Sequence, residues 1–412
     1  RKSQWHEKCA SSKKSSDEKF SLVQSTLRNS KSLFSYPICS RKANFQPPML
    51  SKVSAPIRWN KIYWKGSSND FYEREFGKLS DGKVPIIYDE RYNIEFWGLE
   101  SLHPFDSKKY RSIRNMLVDE GAYESRQFVS PKPAQNQHLK LIHCDDYLAS
   151  LEKSAKLASI AEFPPLAMLP SFIVKNRFTV PCLYQVGGTI LAGFLALENK
   201  WAISIGGGMH HAWSKGGGGW CVFSDIVLSY QHLRLAFPEL VQRILIVDLD
   251  VHQGNGHERD KLLMGDGRST VVTLDAFRPD IYPSDCEARG AIDIRVELSK
   301  DDTDEIYLDK VKNGLEKAES MKNDGNGKFD IVYYVAGTDI LNCDPLGGMR
   351  ISPEAVCKRD QMVWEMCSRE SIPIVHVLAG GYTKPLSAKT VAKSILNLKE
   401  KGLLETKVKG NL

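Results

Sequence analysis

The run RILIVDLDVHQGNGH, Arg243 to His257, decides how the rest of this chain is read. Ile244, Leu245, Ile246 and Val247 form a continuous apolar stretch, β-branched and too short for a helix, which predicts a buried strand. Asp248, Asp250 and His252 follow at every second position, so an extended chain points them the same way. Carboxylates packed that close to a core are costly unless something positive sits among them.

Other stretches share this grammar. VPIIYDE, Val84 to Glu90, reads as a first strand. WAISIGGGMHH, RILIVDLDVH, STVVTLDAF, DIVYYVAGTD and IPIVHVLAGGY begin at Trp201, Arg243, Ser269, Asp330 and Ile372. Between them lie stretches of helical period, Thr189 to Lys200, Tyr307 to Lys322, and a segment opened by Ser352 at N-cap and Pro353 at N1. Alternation of this kind predicts an α/β fold with a parallel sheet covered on both faces. Each of the five later runs is apolar first and chemically loaded at its C-terminal end. The loads are Gly206 to His211, Asp248 to His252, Asp275, Gly337 to Asp339 and Gly380 to Tyr382. Open α/β sheets bind ligands beyond that edge.

The chain has 412 residues, enough for one large domain, and the alternating block places that domain from Lys83 to Leu398. Residues 83–398 are taken as catalytic, with a basic, Ser-rich extension over 1–82 and a tail over 399–412. Ser21 to Asn69 holds no acidic residue, the composition either of an organelle transit peptide or of a disordered basic tail. The first residue is Arg1, which reads as an incomplete or processed start. The net charge of +6 is mild and concentrated near that end, so no direct nucleic-acid contact is expected. No apolar run is read as reaching the ~18 residues of a membrane span. Nine cysteines with no CxxC pair point to free thiols in a reducing compartment.

Asp250, His252 and Asp339 are candidates for one divalent metal, for which such oxygen and nitrogen ligands suit zinc. A DxH alone also describes a satisfied structural pair; Asp339, ending another strand in AGTD, turns the reading toward a metal. Water on such an ion has its pKa lowered to roughly 7. His210 and His211, just after three glycines, suit proton transfer, with Asp248 as the orienting partner of His210. Tyr382, after Gly380 and Gly381, is placed to donate to an oxyanion. GGGMHH lacks the spacing of a dinucleotide site, and there is no GxSxG elbow.

GGGMHHAWSKGGGGWCVFSD, DLDVHQGNGHERD, VAGTDILNCDPLGG and AGGY resemble, in order, the motifs of the zinc-dependent histone deacetylase family. The resemblance covers roughly three quarters of the chain and implies the arginase–deacetylase fold, a three-layer α/β/α arrangement with a mainly parallel central sheet. YNIEFWGLESLHPFD, QVGGTILAGFLAL and GNGHERD are similar to class IV, the deacetylase-eleven group. By this resemblance Asp250, His252 and Asp339 hold one zinc ion, His210 and His211 are the acid–base pair, and Tyr382 polarises the acyl carbonyl. Gly218 and Gly219 keep open an acyl-lysine tunnel walled by Trp220 and Tyr282. A potassium ion is implied on Asp248, Asp250, His252, Thr273 and Leu274, mostly through backbone oxygens. The reaction implied is metal-assisted hydrolysis of acyl-lysine in histone or other proteins; His211 is the expected donor to the departing amine, while the sequence leaves open which of His210 and His211 takes which step.

One departure matters. Acetyl-specific classes place aspartate where this chain has Asn255, so His211 is easier to keep neutral here, which suits a base. Class IV resemblance extends the substrate to long fatty-acyl lysine, with Trp220 narrowing the tunnel mouth. Two other readings compete. One is a non-catalytic acyl-lysine-binding or scaffold member of the same fold. The other is a two-metal ureohydrolase, which needs more carboxylates than Asp344, five residues beyond Asp339, supplies. Nucleus, cytoplasm, plastid and mitochondrion stay open as locations, as does the oligomeric state. The EFPP stretch from Glu162 is expected in a rim loop.

Overall fold

The computed structural model describes residues 68–98, 100, 105–321 and 327–405. Over these residues the chain builds a seven-stranded sheet, every pairing parallel, in the order β1-β2-β7-β6-β3-β4-β5. The strands are β1 (Ile86–Ile87), β2 (Trp201–Ser204), β3 (Ile244–Asp248), β4 (Val271–Phe277), β5 (Ile294–Glu297), β6 (Ile331–Val335) and β7 (Ile374–Val377). The longer helices, in chain order, are α1 (Ser68–Phe76), α2 (Lys109–Asp119), α3 (Val180–Asn199), α4 (Asp225–Ala236), α5 (Asn255–Leu263), α6 (Asp304–Ser320), α7 (Pro353–Glu370) and α8 (Leu386–Glu400).

Six strands fall within the apolar runs of the sequence, because a strand covered on both faces has no polar side to show. β5 escaped that reading. It is one of the two edge strands, and Ile294 and Val296 point inward while Arg295 and Glu297 face solvent. Successive residues of β6 show how both faces are covered. The Tyr333 hydroxyl lies 2.9 Å from Ser229 on α4, and the Tyr334 hydroxyl donates to Asp360 on α7. The architecture is therefore the three-layer α/β/α arrangement.

The register aligns the chemistry. Ile246 of β3 pairs with Thr273 of β4 and Tyr333 of β6, so Asp248, Asp275 and Val335 lie level with one another, β4 running on to Phe277. α7 starts as its sequence dictates: the Ser352 hydroxyl accepts from Ala355 N at 3.1 Å and Pro353 fills N1. α6 starts slightly earlier than the period suggested, at Asp304, with Thr303 accepting from Ile306 N at 3.3 Å; Lys322 lies outside the described residues.

Four expectations need correction. α3 begins at Val180 rather than Thr189, and Ser171–Asn199 is long and apolar enough to cross a membrane by length and composition alone. Its most apolar window is 78% buried within the fold, where it packs beside α4 and β2 as a core helix. The folded part also starts before Lys83: Tyr72 of α1 stacks on Phe194 of α3 with ring centroids 3.7 Å apart, and Phe76 is fully buried. At the other end α8 passes Leu398 to Glu400, and Trp201 Nε1 donates to Glu405 O at 3.1 Å. The remainder of the extension, residues 1–67, and the tail from 406 lie outside the described residues.

Candidate metal centre

Asp250, His252 and Asp339 meet at the C-terminal edge of the sheet. All three are buried, and one ligand atom from each lies within 4.8 Å of the others. His252 Nδ1 is 3.1 Å from Asp250 Oδ1 and 3.0 Å from Asp339 Oδ2. They converge by a route the alternation did not describe, since β3 stops at Asp248. Beyond it, Asp248 Oδ1 accepts from Asp250 N at 3.1 Å and Asp250 Oδ1 from His252 N at 3.0 Å. These successive side-chain turns aim Asp250 and His252 at Asp339 and leave Asp248 facing elsewhere. Val251 N at 3.0 Å from Asp339 Oδ1, and Gly380 N at 2.7 Å from Asp250 Oδ2, hold the two carboxylates in place.

Burial, with the adjacent Asp250 charge, pushes the Asp339 carboxyl up to about 7. Against its burial, Asp250 and Asp339 lift His252 to about 10. Two carboxylates and one imidazole in so dry a place cannot carry two bare negative charges, and a divalent cation satisfies all three. The donor set of two carboxylate oxygens and one ring nitrogen fits zinc with an open position. Among the described residues no other group of three such side chains stands as a metal candidate. Asp344, the carboxylate a two-metal reading would need, is engaged with Leu346 N and Gly347 N at 3.0 Å and with Tyr382 N at 2.8 Å. That favours a one-metal site.

The two histidines have unlike partners. His210 Nδ1 lies 2.9 Å from Asp248 Oδ2, the expected pairing, and His257 Nε2 reaches the same oxygen at 3.0 Å. Although burial opposes it, the Asp248 and Asp250 charges raise His210 to about 9. His211 Nδ1 lies 2.9 Å from Asn255 Oδ1, a neutral partner. Burial and the neighbouring His210 and His252 charges hold His211 well below the usual range. One histidine is thus built to be cationic and the other neutral.

Tyr382 sits on the loop after β7, its ring 6.3 Å from that of His252 and nearly perpendicular to it. Burial and the charges of Asp339, Asp250 and Asp344 push its hydroxyl well above the ordinary range, so it stays a donor. The loop passes so close to the ligands that a Cβ at Gly380 would strike both Asp339 and Asp250. The buried Lys109 of α2 fixes the loop from behind, donating to Ala379 O and, at 3.2 Å, to Gly380 O.

Trp220 is 9% exposed and stacks on Phe105 with centroids 4.7 Å apart, while Tyr282 is 42% exposed with its ring 4.9 Å from that of His211. A Cβ at Gly218 would come within 2.7 Å of the Tyr282 hydroxyl, and one at Gly219 within 2.5 Å of His211 Cδ2. Gly219 also has φ +52°, a conformation glycine adopts without penalty. The four expected tunnel residues therefore gather around the histidines. A cavity next to them is lined by Ile94, Tyr110, Cys182, Met209, Cys221 and Tyr382. The loop holding Glu162 is tied to this wall through Trp220 N donating to Ile160 O at 2.9 Å.

Of the residues implied for potassium, Thr273 has its hydroxyl 3.0 Å from Ala291 O and 3.2 Å from Asp293 Oδ2. Sequence reading missed Phe105, Lys109, His257 and Asp285, which come from loops and helices without a strand-end signal. The GNGH spacing offered the one available hint, at His257.

Residues 103–398 match the family described as the histone deacetylase domain. The chain is 44% identical over 326 residues to Histone deacetylase 2 of Arabidopsis thaliana, covering 79% of this chain and 81% of that protein. Among solved structures, the HD domain of HDA15 superposes with a TM-score of 0.59 at 19% identity, over 78% of this chain and 89% of that one. A histone deacetylase homologue from Aquifex aeolicus does so with 0.57 at 19%, over 78% and 84%. At that identity the structural likeness speaks for the fold, the arginase–deacetylase fold.

Proposed function

The chain belongs to the histone deacetylase domain family, and we propose that it is a zinc-dependent hydrolase that removes acyl groups from lysine side chains of proteins. One observation carries the reading: a buried Asp250–His252–Asp339 cluster beside two histidines with unlike partners, the carboxylate of Asp248 for His210 and the amide of Asn255 for His211. Zinc bound there supplies a Lewis acid for the acyl carbonyl and a water acidified to about pKa 7.

The chain's own groups do the rest. Trp220 and Tyr282 flank the lysine stem and exclude water around it. The Tyr382 hydroxyl donates to the acyl oxygen as charge develops there. His211, neutral and protonated at Nδ1, accepts the proton of the attacking water at Nε2 and returns it to the departing amine. His210, kept cationic by Asp248, stabilises negative charge without giving up its proton.

The same proposal places the protein in class IV. The extension to acyl chains longer than acetyl rests on the resemblance to class IV of the stretches Tyr92 to Asp106, Gln185 to Leu197 and Gly254 to Asp260. Acetyl- and myristoyl-lysine peptides, assayed with and without a chelator, test both points. Turnover lost on chelation and restored by zinc is expected, with myristoyl-lysine the better substrate. Turnover indifferent to chelator contradicts the zinc reading, and acetyl preference contradicts the long-chain reading.

A further inference from the structure

His211 depends on Asn255, and Asn255 has a partner of its own. Asn255 opens α5 and Arg259 lies one turn on, so both side chains share a helix face. Both meet Asp285, from the loop after Tyr282. Asn255 Nδ2 donates to Asp285 Oδ2 at 3.1 Å, and Arg259 donates through Nε at 2.6 Å to Oδ2 and through Nη2 at 2.9 Å to Oδ1. Ala288 N adds a donor to Oδ1 at 3.1 Å. The Asp285 carboxylate is thereby clamped, and it can only accept.

That matters because a primary amide has two orientations of equal shape. With its oxygen toward His211, Asn255 requires a proton on Nδ1 and leaves Nε2 free to accept. With its NH2 toward His211, the neutral ring must carry its proton on Nε2, and no basic nitrogen faces the reaction. A carboxylate that only accepts permits the first orientation alone.

We propose that Asp285 is a positioning residue that sets the tautomer of His211 through the Asn255 amide. This rests on His211 being the base. Asparagine in place of an aspartate partner leaves His211 easier to keep neutral but makes orientation a separate requirement, and Asp285 meets it.

Asp285→Asn tests this with little change of shape. At the Oδ1 position the new amide oxygen keeps Ala288 N and Arg259 Nη2 as donors, whereas the opposite orientation would turn its NH2 on both; the NH2 therefore takes the Oδ2 position, where Arg259 Nε loses its acceptor and the Asn255 amide turns over to offer its oxygen. The expected result is a loss of roughly tenfold or more in kcat with KM within about twofold, at unchanged zinc content and unfolding temperature. In an Asn255→Asp background a carboxylate accepts from His211 whichever way it turns. There Asp285→Asn should cost less than about threefold in kcat on the alkaline plateau. Equal losses in the two backgrounds, or no loss beside Asn255, overturn the inference. The nitrogen-15 spectrum of histidine-labelled protein gives a second reading. The His211 proton, assigned by its disappearance in His211→Ala, should sit on Nδ1 in the native chain and move to Nε2 in Asp285→Asn; an unmoved proton overturns the inference. Full turnover in His211→Ala would instead overturn the choice of base.

Discussion

Replacing Asn255 by aspartate tests the electrostatics of the base itself. The new carboxylate stands where Asn255 Oδ1 now lies 2.9 Å from His211 Nδ1. Unit charges about 4 Å apart interact by roughly 4 kcal/mol at an effective dielectric near 20, which corresponds to about 3 pKa units. Asp285 reduces this, since its Oδ2 is 3.1 Å from the amide nitrogen being replaced and Arg259 already neutralises it. A net rise of about 1 to 2 units in the His211 pKa follows. The sign is fixed: a base of higher pKa stays protonated to higher pH, so the acid limb of kcat/KM moves upward and activity near neutrality falls while the alkaline plateau persists. The assay is the pH dependence of kcat/KM on an acyl-lysine peptide with zinc-loaded protein. An acid limb that stays in place, or moves to lower pH, would refute the assignment of His211.

Tyr382→Phe should keep zinc and fold but lose about 10² to 10³ in kcat, measured on the same peptide, because one donor to the developing oxyanion is gone; a near-normal rate removes its role. Zinc binding at neutral pH should release between about one and two protons, since His252, lifted to about 10, and Asp339, near 7, must both give theirs up. Titration calorimetry in buffers of different ionisation enthalpy counts them, and affinity should weaken as pH falls. Tyr72→Ala should cost about 3 to 5 kcal/mol in chemical denaturation, because the ring stacked on Phe194 leaves a cavity. A change below about 1 kcal/mol would remove α1 from the cooperative fold.

The parts legible in the sequence are those a strand dictates. β2, β3, β4, β6 and β7 are interior, buried throughout and mostly apolar, and parallel pairing sends their last residues to one edge, so Asp250, His252, Asp339 and Tyr382 converge. β5 stayed hidden because its outward positions are charged. α1 stayed hidden because its aromatic residues border a basic, Ser-rich stretch. Lys109, Phe105 and Asp285 reach the site from a helix and two loops, where no periodicity ties a residue to an edge. The turn after β3 altered one detail: the alternation implied Asp248 beside Asp250, while successive capping turns give Asp248 to His210 and His257.

Zinc content measured together with turnover, on native protein and on Asp250→Ala, reaches the central claim most directly. One zinc ion per native chain, and neither metal nor activity in the variant, is the predicted result. A metal-free Asp250→Ala protein that still turns over substrate, or two ions in each native chain, would contradict it.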